Sequence, residues 1–70
     1  MAVIESPLSG KVVEILIEVG QKVAEDDELI IVEAMKMENP VYATEDGVVK
    51  EIKVEVWKQV SEGDVLVVLE

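Results

Sequence analysis

This chain has no histidine and no cysteine, which removes most of the side-chain chemistry a small domain could perform. Ser6, Ser9 and Ser61 have no imidazole to activate them, so triad chemistry is absent, and there is no thiolate for nucleophilic work or metal binding. Glu25-Asp26-Asp27-Glu28 concentrates four carboxylates. It lacks the alternating ligands and central glycine of a calcium loop and reads as a solvated turn. No glycine-rich phosphate cradle opens a helix. What stands out is Lys36, set in Glu33-Ala34-Met35-Lys36-Met37-Glu38. A lysine in a turn is ordinarily a solvated charge. Methionine on both sides of it is not ordinary, because a flexible apolar side chain beside an exposed charge suggests a contact surface. The plainer alternative is that Met35 or Met37 plugs the end of the fold. A Schiff-base lysine needs a buried, desolvated amine, and a tight turn between Glu33 and Glu38 does not provide one. By its own chemistry the chain reads as no enzyme. It looks built to hold up one amine.

Lys36 lies at the joint of an internal duplication. Sliding the sequence by 37 residues sets Gly10 on Gly47, Val12 on Val49, Ile15 on Ile52, Asp27 on Asp64, Leu29 on Leu66 and Glu33 on Glu70. There are eleven identities among the 24 pairs from 10/47 to 33/70. The five other lysines, Lys11, Lys22, Lys50, Lys53 and Lys58, fall on strands or ordinary turns with no comparable motif.

The elements around that joint read as strands. Ala2 to Glu5 is a short extended segment, followed by the turn Ser6-Pro7-Leu8-Ser9-Gly10. Residues 11–19 alternate, with Ile15, Ile17 and Val19 on one face and Glu14, Leu16 and Glu18 on the other. Ile52, Val54 and Val56 repeat the pattern in the second copy, so these six residues are the expected core. Leu29 to Val32 and Val65 to Leu69 are continuous apolar runs suited to fully buried strands. Residues 34–37 form a turn, and Asn39-Pro40 opens an extended segment that becomes a strand over Val41-Tyr42-Ala43. About eight short strands and no helix predict an all-β sandwich or flattened barrel. Each copy is too small to bury its own apolar face. The two should therefore pack face to face about a pseudo-two-fold axis, with the Lys36 turn and the chain ends at equivalent, opposite tips.

Composition is consistent with this. Seventy residues allow one domain. Fifteen valines and six isoleucines with no phenylalanine favour strands. Sixteen acidic residues against six lysines leave a net charge of −10, a surface that repels nucleic acid and anionic membranes. No run approaches the roughly 20 apolar residues of a membrane span, and no signal peptide is apparent. Together with the lack of cysteine, these features lead us to expect a cytoplasmic protein.

The motif Glu33-Ala34-Met35-Lys36-Met37-Glu38 resembles the attachment site of the biotinyl domain, the biotin carboxyl carrier module of biotin-dependent carboxylases, decarboxylases and transcarboxylases. The resemblance runs through the whole chain, residues 1–70. Ser6-Pro7-Leu8-Ser9-Gly10 is similar to the family's N-terminal turn and Ala43-Thr44-Glu45-Asp46-Gly47 to its counterpart. It implies a flattened barrel of two four-stranded antiparallel sheets with Lys36 on a hairpin tip. It implies that a biotin protein ligase links biotin to Lys36, with Met35 and Met37 flanking the arm. It further implies a carboxyl group accepted at a biotin carboxylase and donated at a carboxyltransferase. A lipoyl carrier of a 2-oxoacid dehydrogenase complex is the alternative on the same scaffold, although such domains usually place Asp before the lysine and Ala or Val after it. Two positions depart from the family pattern. Asp26 stands where Gly is usual, as at Gly63, and tolerates a left-handed backbone. Trp57 stands where the repeat has Gly20. Because Trp does not favour that conformation, the turn is expected to take another geometry, with the ring at least partly exposed.

Overall fold

The duplication is reproduced strand by strand. The computed structural model describes residues 1–70 and contains eight strands and no helix. These are β1 Ala2–Glu5, β2 Gly10–Ile15, β3 Lys22–Val23, β4 Glu28–Ala34, β5 Met37–Tyr42, β6 Gly47–Ile52, β7 Gln59–Val60 and β8 Val65–Leu69. They form two four-stranded antiparallel sheets, ordered β1-β8-β6-β3 and β5-β4-β2-β7. In one sheet Val32 faces Asn39, Ile31 faces Pro40 and Ile30 faces Val41. In the other Leu69 faces Ala2, Val68 faces Val3 and Val67 faces Ile4. Every one of these pairs maps onto its counterpart by the 37-residue shift.

β1 therefore fills in its sheet the place that β5 fills in the other. The β4–β5 hairpin, closed by the Lys36 turn, corresponds to the β8–β1 pair, where the two chain ends lie side by side. The short Ser6–Ser9 connection brings the Glu5 end of β1 to Gly10, at the hairpin-tip end of β2. The Ala2–Leu69 end thus points away from Lys36, along a molecule 31 Å long. The halves also interleave: β3 of the first copy pairs with β6, and β7 of the second pairs with β2.

The core comes mainly from the continuous apolar runs. Leu29, Ile30 and Val32, with their equivalents Leu66, Val67 and Leu69, are completely or almost completely buried, as are Val12 and Val49. The expected core face of the alternating segments needs correction. Ile17 and Val54 are buried and Ile15 and Ile52 partly so, but Val19 is 64% exposed and Val56 41%. The strands end at Ile15 and Ile52, and each carries a bulge, between Val12 and Glu14 and between Val49 and Glu51. One extra residue flips the alternation. Buried positions fall at 10 and 12 before the bulge and shift parity to 15 and 17 after it. Beyond Leu16, whose N–H donates to the Leu29 carbonyl at 2.9 Å, the chain leaves the sheet and Val19 points to solvent.

The turns obey the repeat even where the residue types do not. Asp26 has φ 72° and its equivalent Gly63 φ 91°. The Asp27 carboxylate accepts from the Ala24 N–H at 2.8 Å and the Asp64 carboxylate from the Ser61 N–H at 2.8 Å, so the acidic segment is engaged in holding its own turn. Trp57, contrary to expectation, adopts the left-handed backbone of Gly20, with φ 77° against 92°. Its N–H donates to the Val12 carbonyl at 2.6 Å, as that of Gly20 donates to Val49 at 2.7 Å. Those contacts to the sheet impose the geometry and override a local preference of about 1–2 kcal/mol.

Candidate functional site: the Lys36 hairpin

β4 and β5 are joined by Met35 and Lys36 alone, with Ala34 facing Met37 and Glu33 facing Glu38. Both loop residues have positive φ, 52° and 64°. A two-residue hairpin loop with left-handed backbone at both positions is the type I′ geometry, whose twist matches that of the flanking strands. Its usual residues are Asn and Gly. Met and Lys there cost on the order of 1–3 kcal/mol each, and the paired strands behind them hold the turn. Asn39 helps: its side-chain N–H donates to the carbonyl of Met37 at 3.0 Å and of Val32 at 3.3 Å. Gly10 helps from below. A Cβ there would collide with the Glu33 carbonyl oxygen and lie 2.9 Å from Val32 Cγ1, so only glycine lets β2 pass this close to the base of the hairpin.

Above that base the residues stand free. Met35 is 94% exposed and Met37 66%, so neither plugs the fold. Glu33, Lys36 and Glu38 are exposed and Ala34 is half-buried. The protein's single ion pair joins Lys53 to Glu51 at 2.9 Å, leaving the Lys36 amine without a carboxylate partner although two glutamates flank the turn. Each of the two surface grooves lies away from residues 33–38. One runs between β1 and β5 along Val3, Pro7, Pro40 and Tyr42, and the other is lined by Ile52 to Glu55 and Lys58. The tip is convex. It has no recess to hold a free cofactor, and its one reactive group is an unpaired primary amine. That arrangement suits covalent attachment through an amide.

The structure thus brings together the six motif residues picked out from the sequence. It adds three features that pattern reading missed: the left-handed turn, the Asn39 clamp and the close approach at Gly10. The identity of Gly10 with Gly47 in the repeat was the available signal for the last.

The model of the biotin/lipoyl family, described as "Biotin-requiring enzyme", matches residues 2–69. The alpha3 subunit of a biotin-dependent acyl-coenzyme A carboxylase from Mycobacterium leprae is 44% identical over 45 residues, 64% of this chain and 8% of that subunit. The biotin carboxyl carrier protein of Streptococcus mutans is 45% identical over 38 residues, 54% of this chain and 29% of that protein. Among solved structures, the urea carboxylase of Kluyveromyces lactis superposes with a TM-score of 0.94 at 33% identity, over 99% of this chain and 6% of that enzyme. The chain therefore spans less than a third of the length of each of these relatives.

Proposed function

The chain belongs to the biotin-requiring enzyme family, and on that premise we propose that residues 1–70 form a non-catalytic biotin carboxyl carrier domain modified at Lys36. The observation that carries the reading is the amine itself, unpaired and exposed at the apex of a two-residue turn. Bound there, biotin supplies a ring nitrogen that takes up and gives back a carboxyl group. The chain's own residues do the rest. The deprotonated Lys36 amine attacks the biotin carboxyl carbon that the ligase has activated with ATP as a mixed anhydride. The C–N bond forms as the bond to the phosphate oxygen of AMP breaks, AMP leaves, and the lysine loses its charge. The β4–β5 hairpin holds the arm away from the body of the domain, and the tether replaces diffusion with a high effective concentration at each active site. The partners are a biotin protein ligase, a biotin carboxylase and a carboxyltransferase.

Intact mass tests this directly. With biotin, ATP and a biotin protein ligase the domain should gain one biotinyl group. A domain that stays unmodified there but takes lipoate from a lipoyl ligase would instead be a lipoyl carrier.

Met35 and Met37 form the apolar part of the tip that follows the arm into a cleft. Replacing both with Leu keeps the volume, and at such exposure should change stability by less than about 0.5 kcal/mol. Attachment should continue, while carboxyl transfer slows roughly tenfold, equivalent to about 1.4 kcal/mol of lost contact in the transition state. Loss of attachment in the double variant would move their role to ligase recognition.

A further inference from the structure

We propose that the corner around Trp57 is a docking contact for a partner protein surface that presents carboxylates around an apolar recess. Resting on the carrier reading above, we propose that this contact orients the Lys36 hairpin in that partner.

The backbone at Trp57 is the first observation. The largest side chain of the protein occupies a left-handed position, φ 77°, where its repeat equivalent is Gly20 at φ 92°. The ring remains 69% exposed, so it adds little to the core in return for the strain. An aromatic kept at such a position without a packing reason points to use outside the fold, and tryptophan is the commonest anchor of protein interfaces.

The repeat supplies an internal control for the charge around it. Lys53 and Lys58 line one groove with Ile52, Val54 and Glu55, and Lys11 faces Gln59 on the adjoining strand. Their equivalents are Leu16, Gln21 and Val48, whereas Glu51 and Glu55 have the equivalents Glu14 and Glu18. The Trp57 corner thus sets three lysines against two glutamates, whereas the Gly20 corner, where Lys22 faces Val48, sets one against the equivalent two. Glu33 also faces Lys11 from β4, so in a chain of net charge −10 the corner is locally near neutral, and its three lysines are complementary to an acidic surface. The Lys53–Glu51 pair does not remove Lys53 from use, because both side chains are about half exposed, 45% and 54%, and such pairs exchange partners easily.

Position links the corner to the tip. Trp57 bonds to Val12, which faces Val32 in β4. Two strand spacings across and four residues along separate it from Lys36, roughly 15 Å in all. A partner that grips Trp57 therefore also covers the approach to the amine.

The protein's single tryptophan allows a direct test. The biotin-loaded domain is labelled with 5-fluorotryptophan and titrated with the biotin carboxylase and, separately, the carboxyltransferase of the same organism. The one fluorine resonance should shift saturably with at least one of them, and the shift should persist in Lys36→Arg, which carries no arm. Lys53→Glu/Lys58→Glu and added salt should each weaken binding at least tenfold. Trp57→Gly should raise the KM for the domain about tenfold with kcat unchanged, while unfolding at an equal or higher denaturant concentration. No shift with either enzyme, a shift produced only by duplex DNA or anionic vesicles, or a clear loss of stability in Trp57→Gly would each overturn the proposal. Failure of the carrier reading is separate, since it appears as an unmodified wild-type mass.

Discussion

A Lys36→Arg domain is expected to carry no biotin under conditions in which the wild type is fully modified. Arginine keeps the charge and most of the length, but its guanidinium stays protonated and offers no acylatable amine. The backbone should accept the change, because the left-handed φ of 64° at this position is no harder for Arg than for Lys. The variant should therefore unfold at the wild-type denaturant midpoint, which separates lost chemistry from lost structure. None of the other lysines can stand in. Lys11, Lys22 and Lys50 lie within strands, Lys53 is paired with Glu51, and Lys58 sits where the chain re-enters the sheet. None crowns a two-residue turn. Fragment mass spectrometry of the wild type should place the single modification at residue 36. Biotin at any other lysine, or on the arginine variant, would refute the site.

Gly10→Ala should be the most damaging single-methyl addition in the protein, and far worse than the equivalent change at Gly47. At Gly10 the new carbon meets the carbonyl oxygen of Glu33 and Val32 Cγ1, both belonging to the strand that carries the hairpin. At Gly47 its nearest neighbours are the carbonyl oxygen of Glu70 at 3.2 Å and Leu69 Cβ at 3.3 Å, contacts that a shift of a few tenths of an ångström relieves. Overpacking of this kind costs about 1–3 kcal/mol, sometimes more. We expect Gly10→Ala at or above the top of that range and Gly47→Ala near the bottom. A domain of this size has only roughly 4–10 kcal/mol in total, so the first variant should be largely unfolded at moderate denaturant. Equal midpoints would show that the close approach beneath Glu33 does not matter.

The duplication was legible because it resides in identities such as Gly10/Gly47 and Leu29/Leu66, and those alone imply the pseudo-two-fold and the equivalence of the lysine turn with the chain ends. The lysine motif was legible because methionines flank it on both sides, and the structure leaves that amine exposed and unpaired. The bulges were not, since one residue inserted between Val12 and Glu14 has no side-chain signature and is set by the neighbouring strand. Nor was the end of each strand at Ile15 and Ile52, beyond which the chain leaves the sheet and Val19 and Val56 turn to solvent. The geometry at Trp57 and at Met35-Lys36 was hidden for the same kind of reason. Local preference argues against left-handed backbone at all three residues, and backbone hydrogen bonds override it, to the distant β2 at Trp57 and between β4 and β5 at the hairpin.

The interleaved pairing also bears on the timing of synthesis. Ala2 lies against Leu69, and β7 completes the sheet that bears the lysine. A nascent chain can form the β4–β5 hairpin and lay β2 against β4 early, but it has nothing to lay beside β1, or on the other edge of β2, until residues 59–69 have been made. Neither copy is a folding unit, and the domain closes in one late step. The rigid platform beneath Lys36 then exists only once residues 59–69 are in place, so a ligase that requires it would pass over chains that lack them.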